Sequence, residues 1–386
     1  MSARNAQPGV LLVGTFPPPI DGMSVVNMAI RDAVQDSRTR VAVVDSSAKG
    51  RQGLAYHARR LFAHLRAIVL LLSPRGLGLG SLCHGVNAGL AMPYTLALVA
   101  AARLAGMRIV LYYHSSNYLR RRSALLAVTV RIAGPGSLHV LASEDMVRAF
   151  RSLYPAAARF LVVDNCAYVA EAMPARARLR EPVRIGLLSN LSMEKGLGLA
   201  IDTARELRRR GIPIRLILAG PLVGPEAQAA AEAAERELGA AVEFRGTVLG
   251  DEKTRFYADI DVFLFPSLYP HETQSIVVPE AMAAGMPVLV HDHAFIRNLL
   301  AGSEIDHLLL AADGSFPIHA ADAIAGWRAD PARYAADSHR CRARFDELRR
   351  RGIEQFGRLI AELAPTPRSQ GFAAAAARGR IAHGHD

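Results

Sequence analysis

The chain has 386 residues, 51% of them hydrophobic, and a formal net charge of +11; that length exceeds one ordinary core and fits two domains. Three scattered cysteines, Cys83, Cys166 and Cys341, form neither a disulfide framework nor a metal-ligand spacing, so a reducing compartment is expected. The charge is uneven: residues 1–175 hold 19 Lys+Arg and 8 Asp+Glu, and the rest hold 46 − 19 = 27 and 35 − 8 = 27, so the whole excess lies in the front half.

The opening "MSARNAQPGVLLVGTFPPP" lacks the apolar core and small-residue cleavage site of a signal peptide, which points to the cytoplasm. Within it "GVLLVGT" (Gly9 to Thr15) predicts a buried strand, followed by a turn and the helix "NMAIRDAVQDS". "RVAVVDSS" predicts the next strand and "LAYHARRLFAHLRAIVLLL" a long helix. The apolar "AIVLLL" in that helix is flanked by Arg66 and Arg75 and falls short of the ~20 residues a membrane span needs. No acidic residue occurs between Ser46 and Ser143. Either this region favours arginine on solvated faces, or it meets an anionic lipid surface, a phosphorylated acceptor or nucleic acid. Strands "RIVLYYHS", "LHVLAS" and "FLVVDN" follow.

"PARARLREP" (Pro174 to Pro182) is polar and closed at each end by proline, as a linker would be. Beyond it run "VRIGLLSN", the helix "LGLAIDTARELRRR", "IRLILAG", "EAQAAAEAAEREL", "VEFRGTV", "DVFLFPS" and "MPVLVH". Leu197, Ile201, Ala204 and Leu207 recur at helical spacing. Continuous apolar strands alternating with amphipathic helices imply parallel sheets covered on both faces. The expected organisation is an acceptor domain over residues 1–173, a linker over 174–182 and a donor domain over 183–345. A helix over 346–366 would return to the first domain, before a flexible tail, 367–386, of low complexity.

Two loops invite phosphate. "GTFPPPIDGMS" follows the first strand, and Gly22 leaves backbone N–H groups approachable at the helix start; an ordinary βα loop has the same composition. "SNLSMEKGLG" sits at the equivalent place in the second half, where Lys195, one of three lysines among 43 arginines, precedes Gly196. A flexible point charge there suits a diphosphate, and a solvated loop lysine is the plainer reading. Two glutamates, Glu272 and Glu280, have seven residues between them in "FPSLYPHETQSIVVPEAMAAGMPVLVHD". By itself that spacing is weak, because Glu280 after Pro279 also suits a helix first turn and Glu272 a solvated loop.

The whole string is more specific. Strand, Pro-Ser, Glu, seven residues and "EAMAAGMPV" resemble the signature of retaining glycosyltransferases of family 4, which have the GT-B fold. The resemblance extends to "SMEKG", "VEFRGTVLGDEKTRFYADIDVFLFPS" and "GTFPPPIDGMS", covers roughly residues 9–300 in order, and is strongest from 183 to 291. It implies an α/β architecture of two Rossmann-like domains facing each other across a cleft. It implies sugar transfer from a nucleotide-diphosphate sugar to a glycan or lipid-diphosphate-linked acceptor, in the manner of bacterial polysaccharide and exopolysaccharide enzymes. By the resemblance, Glu280 would hold ribose hydroxyls and Glu272 would lie against the transferred sugar. Backbone N–H groups around Gln274, Ser275 and Ile276 would face the sugar or distal phosphate, and Lys195 would balance charge on the leaving diphosphate. Gly22 would let the opposite domain close over the donor, and His114, in "LYYHSSNYL", matches a family histidine near the reacting carbon; taken alone it is equally an ordinary strand-end histidine.

Three positions depart from the pattern. Asn190 stands where many relatives carry arginine, Asp21-Gly22 replaces paired glycines, and Gln274-Ser275 replaces Phe-Gly; donor identity is put in doubt more than activity. No Asp-x-Asp clamp lies in a donor loop, so neither a metal nor another cofactor is expected. Arg120, Arg121 and Arg122 beside the apolar "SALLAVTVRI" suggest contact with anionic lipid at the inner face of the plasma membrane, or with a lipid diphosphate. A solvated helix end is as good a reading. The alternatives are a non-catalytic nucleotide-sugar-binding protein and a nucleotide-sugar epimerase or hydrolase of the same fold. A nucleic-acid partner is disfavoured because zinc-finger, basic-zipper and aromatic RNA-binding motifs are missing, and an NAD enzyme because no Gly-x-Gly-x-x-Gly follows the first strand.

Overall fold

The first apolar run forms β1 (Gly9–Gly14), all six residues of which are buried. Five more strands join it: β2 (Val41–Asp45), β3 (Leu79–Gly85), β4 (Arg108–Tyr112), β5 (Leu138–Leu141) and β6 (Arg159–Val162). They pair in parallel in the order β2-β1-β3-β4-β5-β6. The structure, a computed structural model, describes residues 8–18, 22–47, 53–73, 76, 78–169 and 178–364. The expected tail 367–386, residues 174–177 of the expected linker and Asp21 of the first loop lie outside the described residues.

The second sheet is β7 (Val183–Leu188), β8 (Ile214–Ala219), β9 (Val242–Phe244), β10 (Val262–Phe265), β11 (Val288–His291) and β12 (Leu309–Leu310), ordered β12-β11-β10-β7-β8-β9 and again parallel. Strands β7, β8, β10 and β11 are almost wholly buried, which is why they read as unbroken apolar runs. The chain divides into two compact units between Tyr168 and Val169 and again between Arg349 and Arg350. Each unit is a parallel α/β sheet with helices.

The second division falls inside one helix. α12 (Pro331–Leu363) is 33 residues long, and the sequence reading placed the end of the donor domain at 345, within it. Its first turns belong to the second unit: Tyr334 donates to Asp261 O (2.8 Å), and the Trp327 indole to Asp337 (2.9 Å). Its last turns belong to the first: Ser81 donates to Leu363 O (3.1 Å), Arg108 to Glu362 O (2.7 Å), and the Asp164 N–H to Gln355 (3.2 Å).

The first core buries polar rings as well as aliphatic ones. His84 on β3 lies 2.9 Å from Val13 O and 3.0 Å from Thr95 Oγ1, and His139 on β5 lies 2.8 Å from the Tyr113 hydroxyl and 3.1 Å from Ser137 Oγ. Desolvation lowers the pKa of His84 to about 3 and that of His139 to about 4. An unfolded histidine titrates near 6.5, so below that pH the unfolded chain takes up protons that the folded rings refuse. The stability contributed by each neutral ring is complete above pH 6.5 and is lost as pH falls towards the folded value. Between pH 7 and 5 the loss is about 2 kcal/mol per ring. Urea titrations of the full chain at the two pH values are expected to show a lower midpoint at pH 5; equal midpoints would contradict the burial of these rings as neutral species.

Candidate active site

In the second sheet the chain builds outward from β7 through β8 to β9, then returns to the other side of β7 to lay down β10, β11 and β12. Strand order therefore reverses between β7 and β10. In open parallel sheets the loops leaving the carboxyl ends at such a reversal splay apart and leave room for a ligand. Two predicted segments lie there: the loop after β7, ending at Gly196, and the loop after β10, from Pro266 to Ile276.

The loops are tied by backbone, the Leu268 N–H donating to Glu194 O at 2.9 Å. Gly196 makes the approach possible. It is the N-cap of α7 (Leu197–Arg209) with φ 87°, and a Cβ there would stand 2.3 Å from Pro266 O. Only glycine tolerates both the left-handed backbone and the contact. One residue earlier, the Lys195 ammonium donates to Glu272 Oε2 at 2.7 Å.

Glu272 is 7% exposed, so its charge needs partners. Besides Lys195 it accepts from the Ser267 hydroxyl at 2.9 Å. Lys195 Nζ also lies 4.2 Å from the centre of the Tyr269 ring, a cation–π contact. Burial, then the negative charge of Glu272, raises the Tyr269 pKa, so this phenol stays neutral. The result is one carboxylate and one ammonium, both held in place, at the strand-order reversal.

Glu280 lies on α10 (Val277–Ala283), which begins two residues before Pro279, earlier than the proline alone suggests. Its two oxygens have separate partners: Lys253 Nζ to Oε1 at 2.5 Å and the Tyr257 hydroxyl to Oε2 at 2.8 Å. Both come from α9 (Gly250–Asp259), where a spacing of four puts them on one helical face. Desolvation, followed by the Glu280 charge, raises the Tyr257 pKa well above 10, so it remains a donor. A carboxylate has about four lone-pair sites; two are used here, and two hydroxyls of a ligand can take the others.

Between the glutamates Gln274 is buried, while Ser275 and Ile276 are partly exposed. Asn190 is exposed just beyond β7. In the first unit Gly22 opens α1 (Gly22–Asp36) and is exposed. His114 follows β4, stacked on Tyr112 with ring centres 4.3 Å apart, and desolvation lowers its pKa to about 3. At the end of β3, a Cβ on Gly85 would sit 3.7 Å from the His114 ring and 3.8 Å from Met23 Sδ, so His114 and the start of α1 share one end of that sheet. Arg120 ends α4 (Asn117–Arg120), and Arg120, Arg121 and Arg122 are exposed. Among the described residues no group of three or more His, Cys, Asp or Glu is placed to hold a metal ion.

Sequence reasoning missed Ser267, Tyr269, Lys253 and Tyr257. The signal available for Lys253 was its rarity, as one of three lysines. That it pairs with a glutamate 27 residues later depends on α9 and α10 meeting in the fold.

Residues 182–330 match the family described as "Glycosyl transferases group 1". The amylovoran biosynthesis glycosyltransferase AmsK of Erwinia amylovora is 34% identical over 131 residues, 32% of this chain and 31% of that protein. Alpha-D-kanosaminyltransferase of Streptomyces kanamyceticus is 26% identical over 245 residues, 56% of this chain and 60% of that one. The chain thus spans about a third of the first curated relative it matches. Among solved structures, Anabaena HepE in complex with UDP superposes with a TM-score of 0.63 at 15% identity, covering 90% of this chain and 99% of that one. Sucrose-phosphate synthase of Thermosynechococcus elongatus gives 0.67 at 15% identity, covering 92% and 99%. Residues 182–330 of the second unit thus match the group 1 glycosyltransferase family model, in a chain of two α/β units whose fold matches those of HepE and sucrose-phosphate synthase.

Proposed function

We propose that this protein is a retaining, metal-independent glycosyltransferase that moves a sugar from a nucleotide-diphosphate sugar to a glycan or lipid-linked acceptor in polysaccharide synthesis. The observation that carries the reading is the Lys195–Glu272 pair, 2.7 Å apart at the strand-order reversal, within the segment that matches the family. HepE is described with UDP-glucose, so uridine diphosphate sugars are the first donors to test.

In this reading Glu280, braced by Lys253 and Tyr257, accepts from two ribose hydroxyls. The diphosphate lies by the N-terminus of α7, where the helix dipole and Lys195 meet its charge. The bond between the sugar's anomeric carbon and the distal phosphate oxygen breaks, leaving positive charge on the ring and negative charge on the phosphate. Lys195 stabilises the second, and Glu272 the first. The acceptor hydroxyl attacks from the face the diphosphate leaves, and its proton passes to the departing phosphate oxygen. His114, in the first unit, is neutral over the working pH range and can offer a hydrogen bond but no charge. The backbone of Gln274, Ser275 and Ile276 lines the sugar, and Asn190 offers an uncharged amide.

Thermal stabilisation of the protein across a panel of nucleotide sugars identifies the donor. With that donor, Lys253→Met is expected to raise KM about tenfold with a smaller change in kcat, because it frees the carboxylate that grips the ribose. Glu280→Gln is expected to act in the same direction. If both variants keep the parent KM, this ribose assignment is wrong. Donor consumed by the pure protein without an acceptor would instead indicate the epimerase or hydrolase.

A further inference from the structure

α2 (Gly53–Leu72) turns large apolar side chains outward. Leu54, Leu61, Phe62, Leu65, Val69 and Leu72 range from 39% exposed at Leu61 to 89% at Leu54. At 100° per residue they fall within about a third of the helix circumference, so they form one stripe along the helix. The opposite face is the seated one, with Ala63, His64, Ala67 and Leu71 buried.

The helix cannot roll to hide the stripe, because its other face is pinned by polar bonds. Asn87 Nδ2 lies 3.1 Å from His64 Nε2, and the His64 ring is oriented within its own helix by Arg60 O, 2.7 Å from Nδ1. The Arg60 guanidinium reaches Asn87 Oδ1, and Arg59 donates to Ser47 O at 2.7 Å. Burial lowers the His64 pKa, in keeping with a neutral ring inside this network. Rotation would leave these groups unsatisfied, each at a cost comparable to a lost hydrogen bond.

What surrounds the stripe selects the partner. α2 packs on α3 (Met92–Leu104), and α3 packs on α5 (Ala124–Ala133). The three helices contain no carboxylate. Their charged residues are Arg59, Arg60, Arg66, Arg103 and Arg131, with exposed Arg120, Arg121 and Arg122 just before α5. Leu125 and Val128 on α5 are also exposed, each 41%. A second copy of this chain would bring the same cations against these, a like-charge contact. An anionic lipid surface meets both features, taking the apolar stripe into its acyl boundary and setting its headgroups against the arginines. Among the described residues no helix is long and apolar enough to cross a membrane, so α2 would lie along the surface.

We propose that this carboxylate-free helical layer of the first unit, led by the outward apolar stripe of α2, docks the protein on anionic lipid. The inference stands apart from sugar transfer, since docking is read without donor or turnover. The test is co-sedimentation of the full chain with phosphatidylcholine vesicles, with and without phosphatidylglycerol. Binding is expected to require phosphatidylglycerol and to weaken at high salt. Phe62→Ser/Val69→Ser is expected to weaken it by at least about tenfold while leaving the melting temperature and circular dichroism unchanged, since both side chains are exposed. Equal binding to the two vesicle types would overturn the proposal, as would undiminished binding by the double variant. So would a dimer that the same variant converts to a monomer while the parent ignores vesicles; the stripe would then be a self-association surface.

Discussion

Lys195→Ala is expected to lower kcat with the true donor by about a hundredfold to a thousandfold, the loss seen when one preorganised group facing developing charge is removed. The reason is local. Lys195 is the cation held against Glu272 at 2.7 Å and over the Tyr269 ring at 4.2 Å, so it is aimed before any ligand arrives and needs little reorganisation. Its removal also leaves Glu272, 7% exposed, with the Ser267 hydroxyl in place of a full charge. Lys195→Arg is expected to recover only part of the rate, because a planar guanidinium cannot occupy the position of a compact ammonium. The double variant Lys195→Ala/Glu272→Gln separates the two roles: groups acting as a unit give a double loss far smaller than the product of the single losses. Steady-state turnover beside a melting curve for each variant checks the prediction. Unchanged turnover in Lys195→Ala would remove the basis of the proposed chemistry.

Gly196→Ala is expected to damage the second unit severely, costing about 3 kcal/mol or more of stability. A residue with a side chain held at φ 87° pays 1–2 kcal/mol, in round terms about that much per strained residue. Here the added carbon would also stand 2.3 Å from a backbone oxygen, Pro266 O, and 2.6 Å from that proline's ring. Backbone cannot move aside as a flexible side-chain end does. The loop after β10 would have to shift, taking Ser267, Tyr269 and Glu272 with it. The variant is expected to melt several degrees lower and to lose donor stabilisation together. Gly22→Ala is the control: nothing lies within 4 Å of a Cβ there, so the melting temperature is expected to hold. A stable Gly196→Ala with normal donor binding would show that the loops do not need this approach.

Much of the fold could be read in advance because both sheets are parallel and covered. Runs such as "GVLLVG" and "VFLF" carry no polar alternation to confuse a strand with a loop. The loops that follow β7 and β10 were also readable, since a lone lysine before glycine, and Pro-Ser before glutamate, are uncommon strings in an arginine-rich chain. The return of the last helix to the first unit was expected from residue 346; what was not readable is that the division, between Arg349 and Arg350, falls inside one continuous helix, α12. Its helical periodicity continues unchanged past Arg349, and which sheet each turn packs on depends on contacts as distant as Ser81 to Leu363. The bracing of Glu280 was hidden for the same reason, as Lys253 and Tyr257 gain meaning only when α9 and α10 meet. For α2 the pattern was amphipathic but silent about which face turns outward; the buried face is Ala63, His64, Ala67 and Leu71, while Phe62 and Val69 are left exposed.

The placement of α12 has a consequence for biosynthesis. The second unit is one uninterrupted stretch, Val169 to Arg349, whereas the first needs the last turns of α12 to cover Ser81, Arg108 and Asp164. A chain emerging vectorially from the ribosome therefore exposes its amino-terminal sheet first and completes it last. The later-made half can finish folding while the earlier one still waits for its closing helix, so premature termination anywhere before residue 350 would leave the older half unsealed and a target for chaperones and proteases.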